Sequence, residues 1–213
     1  MILPGQTVLF QGDSITDSGR NREESSGPGI WALGNGYAKL AAAHLLAARP
    51  SDGLAFLNRG ISGNRVVDLY ARILADTINL KPDVLSVLIG VNDTWHRFRG
   101  NNGVAVPKFE RVFRDYLTEA RAALPGIRFV LCEPFVLGCG HVTSEWVGEM
   151  DARRAVVRRL ASEFGAVFVP FQEMFDAAVQ EAPPEYWAPD GVHPSAPGHH
   201  RMARAWLEAV GGE

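Results

Sequence analysis

A three-layer α/β/α sandwich built on five parallel strands is the fold class this sequence predicts, and three observations predict it. Short apolar runs recur along the chain. Stretches with helical spacing of apolar residues fill the intervals between them. Two of the runs, Val84-Leu85-Ser86-Val87-Leu88-Ile89 and Arg128-Phe129-Val130-Leu131, are apolar on nearly every residue rather than on alternate ones. Strand and helix in strict alternation mean parallel pairing, with the crossover helices laid on both faces of the sheet. Continuous apolar runs suit strands covered on both sides, as parallel strands are.

The first strand is read at Thr7 to Gln11 and ends at Gly12-Asp13. Helical spacing follows from Tyr37 to Ala48, then a strand at Leu54 to Asn58 and a helix from Val66 to Thr77. The third strand is Val84 to Ile89, followed by a helix from Phe109 to Ala123 and a fourth strand at Ile127 to Cys132. A helix from Asp151 to Phe164 and a strand at Ala166 to Pro170 complete the alternation. The last helix spans Ala196 to Val210, with Gly211-Gly212 as its stop. Two segments, Ser18 to Gly36 with Trp31 inside it and Pro134 to Met150 with Cys139, His141 and Trp146, are too long for simple connections. Both leave the carboxyl edge of the sheet, where such folds keep their ligand crevice, so they are expected to wall a site. No repeat, linker or low-complexity segment divides the 213 residues, and one domain is expected.

Composition narrows the partners. With 46% apolar residues, 21% charged residues and a formal charge of −3, the chain has the profile of a soluble globular protein. It shows no block of like charge that would bind nucleic acid or an anionic membrane. Arg153, Arg154, Arg158 and Arg159 alternate with apolar residues at helical spacing and read as a solvated helix face. No run reaches the ~20 apolar residues of a membrane span, and no basic, apolar leader precedes the first strand; a cytoplasmic location is expected. Cys132 and Cys139 are then expected to be free thiols.

Four motifs fall at strand ends: Gly12-Asp13-Ser14-Ile15-Thr16, Asn58-Arg59-Gly60-Ile61-Ser62-Gly63-Asn64, Gly90-Val91-Asn92-Asp93 and Asp190-Gly191-Val192-His193-Pro194. Each alone is weak. Serine is a routine helix N-cap, and glycine and asparagine are ordinary turn residues. Together they supply every part of an acyl-transfer site. Ser14 is the candidate nucleophile, His193 the base that takes its proton, and Asp190, three residues earlier, the group that fixes the imidazole. Candidate oxyanion donors are the backbone N–H of Ser14 at a helix start, the N–H of Gly63 and the Asn92 carboxamide. Gly60 competes with Gly63 for the glycine role.

These blocks resemble the SGNH (GDSL) hydrolase family, over the chain from Thr7 to about Arg204. The resemblance implies a flavodoxin-like sandwich, with Ser14, Gly63, Asn92 and His193 in the roles just given and Asp190 completing a triad. A narrower similarity, carried by Gly12-Asp13-Ser14-Ile15-Thr16-Asp17-Ser18-Gly19-Arg20, Ala32-Leu33-Gly34-Asn35-Gly36-Tyr37 and Gly90-Val91-Asn92-Asp93-Thr94-Trp95, is to bacterial intracellular acetylxylan esterases. It implies deacetylation of small acylated carbohydrates without cofactor or metal, and a homo-oligomer.

Other residues divide between function and structure. Trp95, Trp187, Trp31 and Tyr186 are candidates for stacking on sugar rings, with core packing as the competing reading. Arg20 and Asp17 either contact substrate or pair within their loop. Asp13 and Asp93 read as structural acceptors of loop N–H groups. His199 and His200, close to His193, invite a metal, but no carboxylate or thiolate completes the set, and packing and surface roles are expected. Two rival functions remain: a lysophospholipase or acyl-thioesterase, which needs a long apolar groove, and a non-catalytic glycan-binding protein, which would not need an intact triad.

Overall fold

The computed structural model describes residues 2–23 and 31–211; part of the segment from Ser18 to Gly36 and the stop residue Gly212 lie outside them. The elements run β1 (Thr7–Gly12), α1 (Ser14–Asp17), α2 (Tyr37–Ala48), β2 (Ala55–Asn58), α3 (Val66–Ala71), α4 (Ile73–Asp76) and a 3₁₀ turn at Ile78–Leu80. There follow β3 (Val84–Leu88), α5 (Val91–Gly100), α6 (Val106–Ala123), β4 (Arg128–Cys132), α7 (Ser144–Glu163) and β5 (Val167–Val169). The chain continues with α8 (Phe171–Ala178), α9 (Pro184–Trp187) and α10 (Ala196–Val210). The sheet has five strands in the order β2-β1-β3-β4-β5, every pair parallel. This is the predicted sandwich, with the flavodoxin-like order.

Each strand sends side chains to two cores. Val8 and Phe10 of β1 pack with Tyr37, Ala41 and Leu45 of α2 and with Trp206 of α10. Leu9, between them, faces the opposite layer with Leu85, Val87 and the Phe113, Tyr116 and Leu117 face of α6. Strand β3, buried at every position, feeds both. The Trp206 indole reaches through one layer to donate to Ser86 Oγ at 3.0 Å, so the one polar side chain of β3 is satisfied. Cys132 and Cys139 are free and buried, and burial pushes the Cys132 thiol up to about 12.

Several boundaries differ from the sequence reading. The helix expected from Val66 to Thr77 is broken at Arg72, whose guanidinium turns back to Asn64, the Arg59 carbonyl and Asp76. Helix α7 begins at Ser144 rather than Asp151, so much of the predicted Pro134–Met150 loop is helical and buries Trp146 and Met150. Helices α5, α8 and α9 fall where no helix was predicted. The order of strands places the reversal of winding between β1 and β3, and the crevice outside their carboxyl ends is where such sheets bind ligands.

Candidate active site

Two strand ends open on that crevice. From β1 the chain turns directly into α1, with Asp13 as N-cap accepting from the Ile15 N–H at 3.0 Å and Ser14 as the first helical residue. From β3 it turns into α5, whose first turn carries Asn92 and Asp93. Burial pushes the Asp13 carboxyl up to about 7, against the opposing hydrogen bond from Ile15 and the nearby His193. Burial likewise lifts Asp93, to about 7; its oxygens accept from the Val66 N–H at 3.2 Å. Both are thus structural acceptors.

The third contribution comes from the loop between α9 and α10. His193 Nε2 lies 2.8 Å from Ser14 Oγ, across 179 residues of sequence. His193 Nδ1 lies 2.6 Å from Asp190 Oδ2. Asp190 Oδ1 accepts from the backbone N–H groups of Val192 at 2.9 Å and His193 at 2.7 Å. Burial alone would raise the Asp190 carboxyl; the hydrogen bonds from His193 and Val192 outweigh it and hold the group below its ordinary value. A carboxylate facing Nδ1 fixes the proton there and leaves the Nε2 lone pair aimed at the serine.

Around this string, the loop after β2 supplies the glycine. A Cβ at Gly60 would collide with the backbone of Asp17, so that glycine exists to let two loops touch. Gly63, at φ +83, has open space where a side chain would be. Asp17 clamps the loop: its Oδ2 accepts from the Ser62 N–H at 3.1 Å and the Ser62 hydroxyl at 3.2 Å. The Asn92 Nδ2 donates to the Asn64 carbonyl at 3.2 Å, which sets the carboxamide beside the Asn64–Arg65 peptide, one residue past Gly63.

The aromatic candidates separate. The Trp95 ring lies 6.0 Å from the His193 ring and 5.3 Å from both His141 and Trp146. Trp187 is only 5% exposed, donates to the Ala182 carbonyl at 3.1 Å and packs in the core, so the expected binding face gives way to a structural one. Trp31 and Tyr186 are exposed; Trp31 lies under Lys39, and Tyr186 sits edge-on to Trp187. Arg20 spends Nε on the Gly60 carbonyl at 2.8 Å. The ion pair expected between Asp17 and Arg20 is instead between Asp17 and Arg22, at 2.9 Å. His199 is buried and accepts from the Tyr37 N–H, and burial pulls it down to about 4.

Sequence reasoning missed the platform beneath α5. Arg153, fully buried, bonds Thr94 Oγ1 at 2.9 Å and reaches Glu149 and the Val104 carbonyl. The signal was there: Glu149 and Arg153 are four apart, the spacing of a helical ion pair. An apolar groove between α2 and α10, about 450 Å³ and lined by Leu40, His44, His200, Ala203, Arg204 and Leu207, contains none of the Ser14–His193–Asp190 string.

Comparisons with known proteins identify the family. The model of the GDSL-like lipase/acylhydrolase family matches residues 10–201. An acetylxylan esterase of Geobacillus stearothermophilus is 38% identical over 98% of this chain and 95% of its own length. A crystal structure of a GDSL-like lipase from Parabacteroides merdae superposes with a TM-score of 0.97 at 42% identity, covering 100% of this chain and 99% of that one. The crystal structure of the acetylxylan esterase Axe2 from Geobacillus stearothermophilus gives a TM-score of 0.90 at 36% identity, covering 100% and 97%. Two further Axe2 structures are catalytic mutants, in which a serine and a histidine are each replaced by alanine. No helix among the described residues is long and apolar enough to cross a membrane. This chain therefore belongs to the GDSL-like lipase/acylhydrolase family and is a carboxylic ester hydrolase.

Proposed function

We propose that the protein removes acetyl groups from xylo-oligosaccharides or closely related acetylated sugars, through an acyl-enzyme formed on Ser14. The hydrogen-bonded string from Ser14 through His193 to Asp190 carries the reading. His193 Nε2 takes the hydroxyl proton as Ser14 Oγ attacks the ester carbonyl, and Asp190 stabilises the imidazolium. The N–H groups of Ser14 and Gly63 and the Asn92 carboxamide receive the charge on the carbonyl oxygen. The imidazolium then protonates the departing sugar oxygen, and water, activated by the same histidine, releases acetate.

Three things favour an acetylated sugar over a lipid. The Geobacillus stearothermophilus relatives act, by their names, on acetylated xylan or acetyl-xylo-oligosaccharides, while the Parabacteroides merdae protein is named a lipase. Trp95 offers an aromatic face beside the imidazole. The apolar groove described between α2 and α10 is lined by none of Ser14, His193 and Asp190, so it does not hold an acyl chain at the proposed nucleophile. The test is the initial rate on acetylated xylo-oligosaccharides beside 4-nitrophenyl acetate and octanoate, with Ser14→Ala as control. Serine-dependent acetate release from the sugar, with octanoate poorly used, is the expected result. Octanoate preferred and the sugar untouched would move the function to lipid or thioester hydrolysis, and failure to label with a fluorophosphonate would remove the nucleophile altogether.

A further inference from the structure

Arg99, near the end of α5, differs from its neighbours in what it touches. Arg97 on the same helix meets Glu149 at 2.7 Å, and Arg153 meets the same carboxylate from below. Arg99 is exposed, and no carboxylate among the described residues pairs with it. Its Nη2 instead lies 3.0 Å from Nδ1 of His141, and its guanidinium stands 5.5 Å from the centre of the Trp95 ring. A guanidinium can only donate, so Nδ1 of His141 is the acceptor and the ring proton sits on Nε2. A cation and an N–H donor, neither matched by an acid among the described residues, therefore stand against Trp95, the guanidinium over its ring. His193 packs against the same indole, ring centres 6.0 Å apart.

The cluster is fixed to the site. The His141 N–H donates to the Asp190 carbonyl at 2.9 Å, and a side chain at Gly140 would collide with the Asp190 backbone. Trp146, beneath Trp95, stacks on Phe98 and closes the far side of the indole.

We propose that Arg99 and His141 form a carboxylate-binding subsite beside the ester-cleaving centre, so that the preferred acetylated sugar carries an acid group, as a uronic acid does. The inference rests on the carbohydrate-esterase reading above and names the substrate class within it. His193 must hand its proton to the departing sugar oxygen, so the sugar lies along the walls that flank the imidazole, and Trp95 is such a wall. A sugar seated there extends its next substituent toward the guanidinium. One guanidinium with one neutral donor matches the single charge and planar fork of a carboxylate. A phosphate, with nearly two charges, would ask for a second cation, and Arg97 is already spent on Glu149.

The experiment compares three acetylated oligosaccharides: one bearing a glucuronic acid branch, the methyl ester of that branch, and the neutral xylo-oligosaccharide. At low salt the wild-type protein should favour the acid over its methyl ester by about five- to tenfold in kcat/KM, the range of one partly exposed charge-assisted contact. High salt should shrink that ratio, and Arg99→Gln should bring it to about one. Equal rates on acid and methyl ester in the wild type, or an undiminished ratio in Arg99→Gln, would overturn the subsite while leaving deacetylation of sugars in place. A preference for an acid group on the acyl side, seen with hemisuccinyl in place of acetyl, would overturn it as well. Hydrolysis of 4-nitrophenyl acetate with no acetate from any sugar would instead bring down the carbohydrate reading, and the subsite with it.

Discussion

Asp13 and Asp17, which flank Ser14, are 1% and 4% exposed, and Asp17 holds a loop 45 residues further along the chain. Asp190 and His193 sit with about a third and a half of their side chains open to solvent, and the Asp190 carboxylate bonds residues two and three positions away. The proposed nucleophile is thus held by long-range packing at the ends of β1 and β2. The proposed base is oriented by side-chain bonds within its own turn, whose backbone is tied to Leu137 and His141. A change near Ser14 should spread into stability, whereas one near His193 should stay in the rate.

The largest effects should come from the two partners themselves. Ser14→Ala and His193→Ala should each lower kcat on 4-nitrophenyl acetate by about 10⁴-fold or more, and near-normal turnover in either would remove the triad. Asp190→Asn should cost about 10³-fold by releasing the imidazole tautomer, with thermal unfolding little changed because the Asp190 and His193 side chains are partly open to solvent. Asn92→Ala should lose on the order of 10²-fold in kcat, the usual loss for one oxyanion donor. If that variant unfolds instead, the bond from Asn92 to the Asn64 carbonyl is its main work.

Asp17→Ala sharpens the contrast from the other side. It strands the Ser62 N–H and hydroxyl together with Arg22, so calorimetry should show a loss of about 2 kcal/mol, with kcat down only about tenfold. A rate loss without a stability loss would place Asp17 in the chemistry. A last effect, on stability alone, is its dependence on pH. His199 is neutral in the fold, its value drawn from 6.5 to about 4 by burial and by the facing charge of His193. The unfolded chain takes up a proton below about 6.5 and the folded chain does not, so stability falls as pH drops from about 6.5 to 4, by up to about 3 kcal/mol. His199→Gln should flatten that limb in urea titrations at pH 5 and 7.

Much of this was legible in the sequence, for physical reasons. Strands β1, β3 and β4 are buried on both faces and spell that out in unbroken apolar runs. Helices α2 and α10 carry their own signals of spacing and termination. Helix α5 was not legible: it is polar, begins after a glycine, and is held by α7 through Thr94, Glu149 and Arg153 rather than by an apolar stripe. Tertiary support of that kind leaves no local pattern. The residues of the proposed site stand out because their types are chemically demanding, while Trp187 could not be assigned between sugar stacking and the core because an aromatic residue next to an active loop looks the same whether it faces inward or outward. Arg99 was passed over, since its meaning depends on a histidine brought to it by folding.

The separation of Ser14 and His193 by 179 positions also sets an order in time. A ribosome makes the serine, its turn and the Asn92 helix long before the loop that carries the histidine, and the fifth strand emerges between them. A growing chain therefore displays an unactivated hydroxyl until His193 has been made. The proposed nucleophile can open an ester only after that loop docks on a scaffold already assembled.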